Sequence, residues 1–140
     1  MPLAPLPDKL LAFLAKPRIA VVGTVRDDGS PVTTPCWYGL EPGRGIALSM
    51  DEASHRLRHR LRHLQADPRL ALTVLGDDWY SHVSILGRAV DFRPDHDLAD
   101  IDALSHRYLG SSYEDRTYRG VTVHAEIDRW HTYGDPAAEV

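Results

Sequence analysis

Apolar positions along this chain switch between two spacings, and each switch marks a change of element. In DKLLAFLA, Leu10, Leu11 and Leu14 recur at helical spacing, Asp8 is available to cap the first turn, and Pro17 stops it. RIAVVGTV is apolar and rich in branched residues, the pattern of a largely buried strand. Asp27, Asp28 and Gly29 form an Asp-Gly hairpin signal, and SPVTTPCWYGL follows as the partner strand. Pro31 and Pro35 each remove a donor from the ladder, which places this strand at a sheet edge or gives it a kink. EPGRG turns the chain into the short strand GIALSM. After a basic stretch, Asp67-Pro68 stops a helix and RLALTVLG returns as a strand. Asp77-Asp78 turns again into WYSHVSILGRAVDF, a long strand in which Gly87 marks a bulge. From Pro94 to Leu109, Leu98, Ile101, Leu104 and Leu109 predict a helix. SSYEDRTYRG reads as a polar loop with a turn of helix, and GVTVHAEI and RWHTYG supply one or two closing strands. Strands joined by tight turns, with helices inserted only twice, favour an antiparallel meander closing into a barrel over an alternating parallel sheet.

The basic stretch HRLRHRLRHL, His55 to Leu64, fits two periods. As a strand it would put Arg56, Arg58, Arg60 and Arg62 on one face. As a helix, Leu57, Leu61 and Leu64 form an apolar seam, with Arg56 and Arg60 on one flank and Arg58 and Arg62 on the other. The helix is the better account, with Asp51 or Ser54 as its N-cap and a first turn that reads equally as loop. Its charges suit a solvated face, an anion site at a helix start, or a nucleic-acid contact. The last is disfavoured by an acidic total and the lack of a binding motif. His55 and His59, four residues apart, have the spacing of a metal pair but no acidic third ligand, so all three histidines of the stretch read as solvated.

A chain of 140 residues fits one domain, here 1–140 with flexible ends at 1–7 and 135–140, and a 43% hydrophobic fraction can build a core. The formal charge of -4 argues against a wholly basic nucleic-acid binder. Cys36 is the single cysteine, so no internal disulfide is expected and the cytoplasm is the default compartment. The start lacks the pattern of a signal peptide, and no apolar run approaches the ~20 residues of a membrane helix.

The order of these signals carries a resemblance. A short helix DKLLAFLA, the strand IAVVGTV, the hairpin DDGSPVTTPCWYGL, the strand GIALSM, the basic helix with its Asp-Pro-Arg exit, and VSILGRAV follow one another. This ordered set resembles the flavin/deazaflavin oxidoreductases of the pyridoxamine 5'-phosphate oxidase-like superfamily, and looks closest to the branch that uses the 8-hydroxy-5-deazaflavin coenzyme F-420. The resemblance implies a mainly β (α+β) fold, an antiparallel split β-barrel of six to seven strands with a few short helices. It also implies a homodimer with cofactor clefts at the subunit interface. By position, Arg58 and Arg60, with Arg62 one step further, would hold the phosphate and acidic tail. Arginine at position 60 departs from the lysine common in relatives but keeps the charge. Thr33, Thr34, Pro35 and Trp37, with Ser49 and Met50, would floor the ring, largely through backbone groups. Trp79, Tyr80, Ser81 and His82 would approach from the partner subunit.

Independently of the resemblance, Trp37, Tyr38, Trp79 and Tyr80 concentrate aromatic area suited to a tricyclic ring, and equally to a core or a dimer interface. Cys36 reads as a packed side chain, because no histidine base stands next to it. The function implied is hydride transfer from reduced coenzyme F-420 to a conjugated enone, enoate or imine. Solvent, Tyr80 or His82 would supply a proton, and no catalytic side chain is singled out. FMN in the same fold, and a non-catalytic cofactor or haem-type carrier, are the alternatives. No metal, nucleic acid or membrane is called for.

Overall fold

The computed structural model describes residues 6–41, 43, 45–53 and 58–139, with Arg58 and Glu139 described by their backbone alone. In order these form α1 (Asp8–Ala15), β1 (Ala20–Val25), β2 (Pro31–Cys36), β3 (Gly39–Glu41), β4 (Gly45–Asp51), α2 (Arg58–Ala66), β5 (Arg69–Leu75), β6 (His82–Pro94), α3 (Ala99–Leu109), β7 (Gly120–Tyr133) and a 3-10 turn at Pro136–Glu139. The fold is α+β, built on seven antiparallel strands in the order β2-β1-β5-β6-β7-β4-β3. Neighbours in sequence pair in the hairpins, but β1 also pairs with β5 and β4 with β7, so the sheet is not the plain meander expected. The cause is α2, which carries the chain from β4 across to β5 and packs against both β1 and β4.

Several sequence signals act as read. β2 is an edge strand, where Pro31 and Pro35 cost no ladder bond to a second neighbour. The register of β6 against β7 shifts between Leu86 and Gly87, where a side chain on the glycine would run into the Glu126 carbonyl, and again between Ala89 and Asp91. The two closing segments are one strand, β7. The expected SPVTTPCWYGL strand instead breaks at Trp37-Tyr38 into β2 and β3, because the Tyr38 ring turns fully into the core.

Alternating burial directs one face of the sheet inward. Ala20, Val22, Leu48, Leu72, Val74, Val83, Ile85 and Val123 meet Phe13 and Leu14 of α1 and Leu61 and Leu64 of α2. The α2 seam therefore holds at Leu61 and Leu64, while Ser54 to Leu57, including the proposed Ser54 cap, His55 and Arg56, lie outside the described residues. Asp51 ends β4 and accepts from the Ala53 N–H. His63 is not on the solvated face expected of it, for its ring hydrogen-bonds the buried Thr24 hydroxyl at 3.2 Å and so faces the sheet. In α1, Phe13 takes the buried place expected of Leu11, which is 40% exposed. Pro7 stands at the N-cap position, with Asp8 already helical and no side-chain cap. The 3-10 turn packs on α1.

α3 begins at Ala99, later than the pattern suggested, because the buried Asp95 carboxylate accepts the N–H groups of Asp100 (3.0 Å) and Ile101 (2.9 Å). Leu98, Ile101 and Leu104 form a second cluster with Trp37, Tyr113 and Tyr118, while Leu109 stays exposed. The other end of α3 binds α1. Pro17 ends α1 without an amide donor, and its last carbonyls are met by side chains. Arg107 donates to Leu14, Ala15 and Lys16 at 2.8, 2.6 and 2.8 Å, while Arg18 Nε donates to Phe13 at 2.7 Å. The buried Tyr38 hydroxyl lies 2.8 Å from the Leu14 carbonyl and 3.0 Å from that of Lys16, and the Arg107 guanidinium stacks over the Tyr38 ring.

Arg107→Ala is expected to cost about 2–3 kcal/mol in denaturant unfolding, since it strips a charged donor from helix-end carbonyls. Arg107→Lys should recover only part, because an ammonium cannot match the fork's spread of donors.

Candidate functional site

The gap that α2 crosses gathers groups from four segments. Arg60 projects from α2, Cys36 ends β2 and Trp37 follows it, Ser49 faces out of β4, and Tyr113 and Tyr118 come from the loop between α3 and β7. The Nε and Nη1 atoms of Arg60 are covered yet have no hydrogen-bond partner among the described residues. An unpaired covered guanidinium is costly, and an anion is what relieves it. Its charge acts on two neighbours. Burial pushes the Cys36 thiol up to about 11, against the opposing pull of Arg60. Such a thiol stays protonated at neutral pH and is no nucleophile. Burial likewise raises the Tyr118 phenol to about 12, with the Ser49 hydrogen bond and Arg60 pulling the other way.

An aromatic wall adjoins these charges. Trp37 stacks on Tyr108 at 5.3 Å and 10°, meets Tyr113 edge-on at 6.2 Å and 85°, and Tyr113 in turn meets Tyr118 at 5.1 Å and 64°. Such offset and edge contacts are the favoured aromatic geometries. Tyr118 closes the wall on β4, where its hydroxyl lies 2.7 Å from Ser49 Oγ. The fit depends on Gly120, since a Cβ there would stand 2.5 Å from Tyr118 Cε2.

The loop bearing both tyrosines, expected to include a turn of helix, has none and is pinned from α3. The Asp102 carboxylate accepts the Tyr113 N–H at 2.9 Å and both ends of the Arg116 fork at 2.8 and 3.2 Å, and Arg116 also donates to the Tyr113 carbonyl at 2.9 Å. Arg116, and then the Tyr113 N–H, hold the Asp102 carboxyl below its ordinary value of 3.8.

Of the residues singled out by sequence, Arg60, Ser49 and Trp37 come together here. The Arg58 side chain lies outside the described residues. Arg62 is exposed, and two residues along a helix turn it about 200° from Arg60, so the two do not face one anion together. The Met50 side chain is 1% exposed in the core, leaving only its backbone for a ligand. Thr33 and Pro35 point outward beside Gly23 and Val21, whereas Thr34 shares the opposite face with Val22. Trp79 (73% exposed), Tyr80 (51%) and His82 form a separate cluster around Tyr133, with Tyr80 and Tyr133 hydroxyls 2.9 Å apart and the His82 ring stacked on Tyr133 at 5.7 Å. Trp79 and Tyr80 sit in a turn rather than in β6. Tyr108, Tyr113, Tyr118, Asp102 and Arg116 went unseen in the sequence reading. The signal was two tyrosines inside an otherwise polar loop. Among the described residues no helix is long and apolar enough to cross a membrane, and no group of three or more His, Cys, Asp or Glu side chains is placed to hold a metal ion.

Comparison with known proteins matches residues 6–132 to the sequence model of the pyridoxamine 5'-phosphate oxidase family. Among solved structures, an F-420 reductase is 23% identical with a TM-score of 0.73, the match covering 86% of this chain and 94% of that one. A conserved hypothetical protein of Mycobacterium tuberculosis is 20% identical, with a TM-score of 0.71 over 98% of this chain and 89% of the other. An FAD and heme binding protein of Mycobacterium smegmatis is 19% identical, with a TM-score of 0.61 over 93% and 71%. These likenesses carry the fold, which is the split barrel expected.

Because the Asp102 carboxyl is lowered on folding, the loop's fastening is complete above the ordinary value of 3.8 and is lost as pH falls through the depressed folded value. The hydrogen-exchange protection factor of the Tyr113 amide should therefore be flat from neutral pH down to about 4 and fall below it.

Proposed function

This chain belongs to the pyridoxamine 5'-phosphate oxidase family, and on that premise we propose that it is an oxidoreductase using coenzyme F-420 to reduce a conjugated enone, enoate or imine. The observation that carries the reading is Arg60, whose Nε and Nη1 atoms are covered and have no hydrogen-bond partner among the described residues, at the end of an aromatic wall. The donor set fits a planar ring with an anionic tail. Arg60 would take the phosphate, the Trp37 side of the wall would back the ring, and Ser49 would meet its polar edge. When bound, the reduced deazaflavin supplies a hydride. The protein's own part is to orient, to keep Cys36 and Tyr118 protonated beside the charge, and to exclude water with the tyrosine loop.

We further propose a homodimer, which two observations support. The outward rows of β2, β1, β5 and β6, Pro35-Val21-Thr73-Ser84 and Thr33-Gly23-Ala71-Leu86, are uncharged and half-buried or exposed, and reach His131 and Arg129 only on β7. Trp79 and Tyr80 are exposed in the turn before β6, and in this proposal those of one copy reach the cofactor held by the other. A second reading, FMN in the same site, gains from the outward turn of Arg62. One described anion-facing arginine suits a single phosphate better than a long acidic tail.

Titration of the purified protein with the deazaflavin and with FMN, read by fluorescence and retention on filtration, decides between them. Tight deazaflavin binding is expected, and FMN binding alone would overturn the main reading in favour of the second. Arg60→Ala should weaken deazaflavin binding by about 1.5–3 kcal/mol, and most at low salt. An unchanged affinity would return Arg60 to a structural role.

A further inference from the structure

Two hydroxyls facing each other leave one hydrogen over. Ser49 Oγ and Tyr118 Oη are 2.7 Å apart, either can donate to the other, and neither has a further hydrogen-bond partner among the described residues. One O–H is consumed in the mutual bond and the second is free, next to the Arg60 charge and the aromatic wall. The pair is not a product of strand geometry alone. Tyr118 arrives on a loop with no helix or strand of its own, and its position rests on side-chain fastenings.

Those fastenings form a chain. Asp102 on α3 binds the Tyr113 amide and the Arg116 fork, and Arg116 returns a bond to the Tyr113 carbonyl. Asp115 then accepts the Thr117 N–H at 2.9 Å and its hydroxyl at 2.6 Å, turning the chain toward Tyr118. The Tyr118 ring drops into the space left by Gly120. Each link is local, but the first one is tied to a helix docked at both ends.

We propose that the Ser49–Tyr118 pair is the hydrogen-bond donor to a carbonyl oxygen of the bound hydride acceptor, and that Asp102 and Arg116 are positioning residues that hold Tyr118 there. The proposal rests on the reading of the site as a reductase and names its substrate class, an acceptor whose carbonyl oxygen gains negative charge during reduction. A preorganised donor at that oxygen stabilises the charge without reorganisation of water. The Tyr118 phenol, held at about 12 by burial, remains a donor across the neutral range. Asp102 and Arg116 touch no ligand themselves and act by setting the loop.

The test has a part that needs no cofactor. Ring-labelled tyrosine NMR spectra, assigned by single Tyr→Phe variants, are compared for the parent, Arg116→Ala, Arg116→Lys and Asp102→Asn. The Tyr113 and Tyr118 signals should move in Arg116→Ala and Asp102→Asn and move less in Arg116→Lys, with Tyr80 and Tyr133 unchanged. Signals of Tyr113 and Tyr118 that stay in place overturn the positioning role. The second part uses the protein loaded with whichever flavin it binds, with cyclohexenone as acceptor. Tyr118→Phe and Arg116→Ala should each lower kcat about tenfold or more, leaving KM and cofactor affinity within about threefold. Parental kcat in Tyr118→Phe overturns the donor role. A parent protein that binds neither deazaflavin nor FMN overturns the donor role together with the cofactor reading, while the tyrosine spectra still decide the positioning role.

Discussion

A helix that ends against a proline leaves its last carbonyls without amide donors, and in this protein those carbonyls become the point where distant segments are joined. Phe13, Leu14, Ala15 and Lys16 receive Arg18 from the lead into β1, Tyr38 from the β2–β3 break and Arg107 from α3. Of these acceptors, those of Phe13 and Leu14 belong to buried residues, and leaving them unpaired would cost more than any one of the bonds contributes. Because Tyr108 follows Arg107 on α3, the same junction sets the ring that stacks on Trp37, and its hydroxyl donates to the Arg18 carbonyl at 2.9 Å. The aromatic wall is thus a consequence of how α1 is terminated.

α3 is fastened twice, by Asp95 at its start and by the α1 carbonyls at its end, with Leu98, Ile101 and Leu104 packed between. That rigidity is what a loop of polar residues can be hung from. The opposite side of the site depends on α2, whose Leu61 and Leu64 fill the space between β1 and β4 while His63 bonds Thr24. Arg60 lies three residues before His63, on the same side of the helix, so the contacts that seat α2 also turn this arginine inward and leave Arg62 outside. A charged residue is placed here by apolar packing around it.

Much of the fold was legible because the signals were local. Prolines at 31 and 35 announced an edge, Gly87 a bulge, and Asp67-Pro68 the end of α2, each through a backbone constraint that no packing can override. Where the reading erred, a nonlocal contact decided. Leu11 and Phe13 compete for the inward face of α1, and the sheet it lies on takes the larger ring. His63 is as polar as its neighbours and is drawn in by a single threonine far away in sequence. The candidate site was half visible, in Arg60, Ser49 and Trp37. Its other half, Tyr113 and Tyr118 with Asp102 and Arg116, lay hidden in a loop whose shape comes from side-chain bonds rather than periodicity.

The sequence by itself determined where most helices and strands fall, an edge or a kink at β2, the bulge in β6 and the family, because each follows from dihedral limits, spacing or the order of motifs along the chain. The tertiary structure alone decided that β1 joins β5 and β4 joins β7, which arginine of the basic helix turns inward, and that Ser49 and Tyr118 meet across the site. Those outcomes depend on which distant groups compete for one buried volume and one set of hydrogen bonds, and that competition is settled only when the chain is folded.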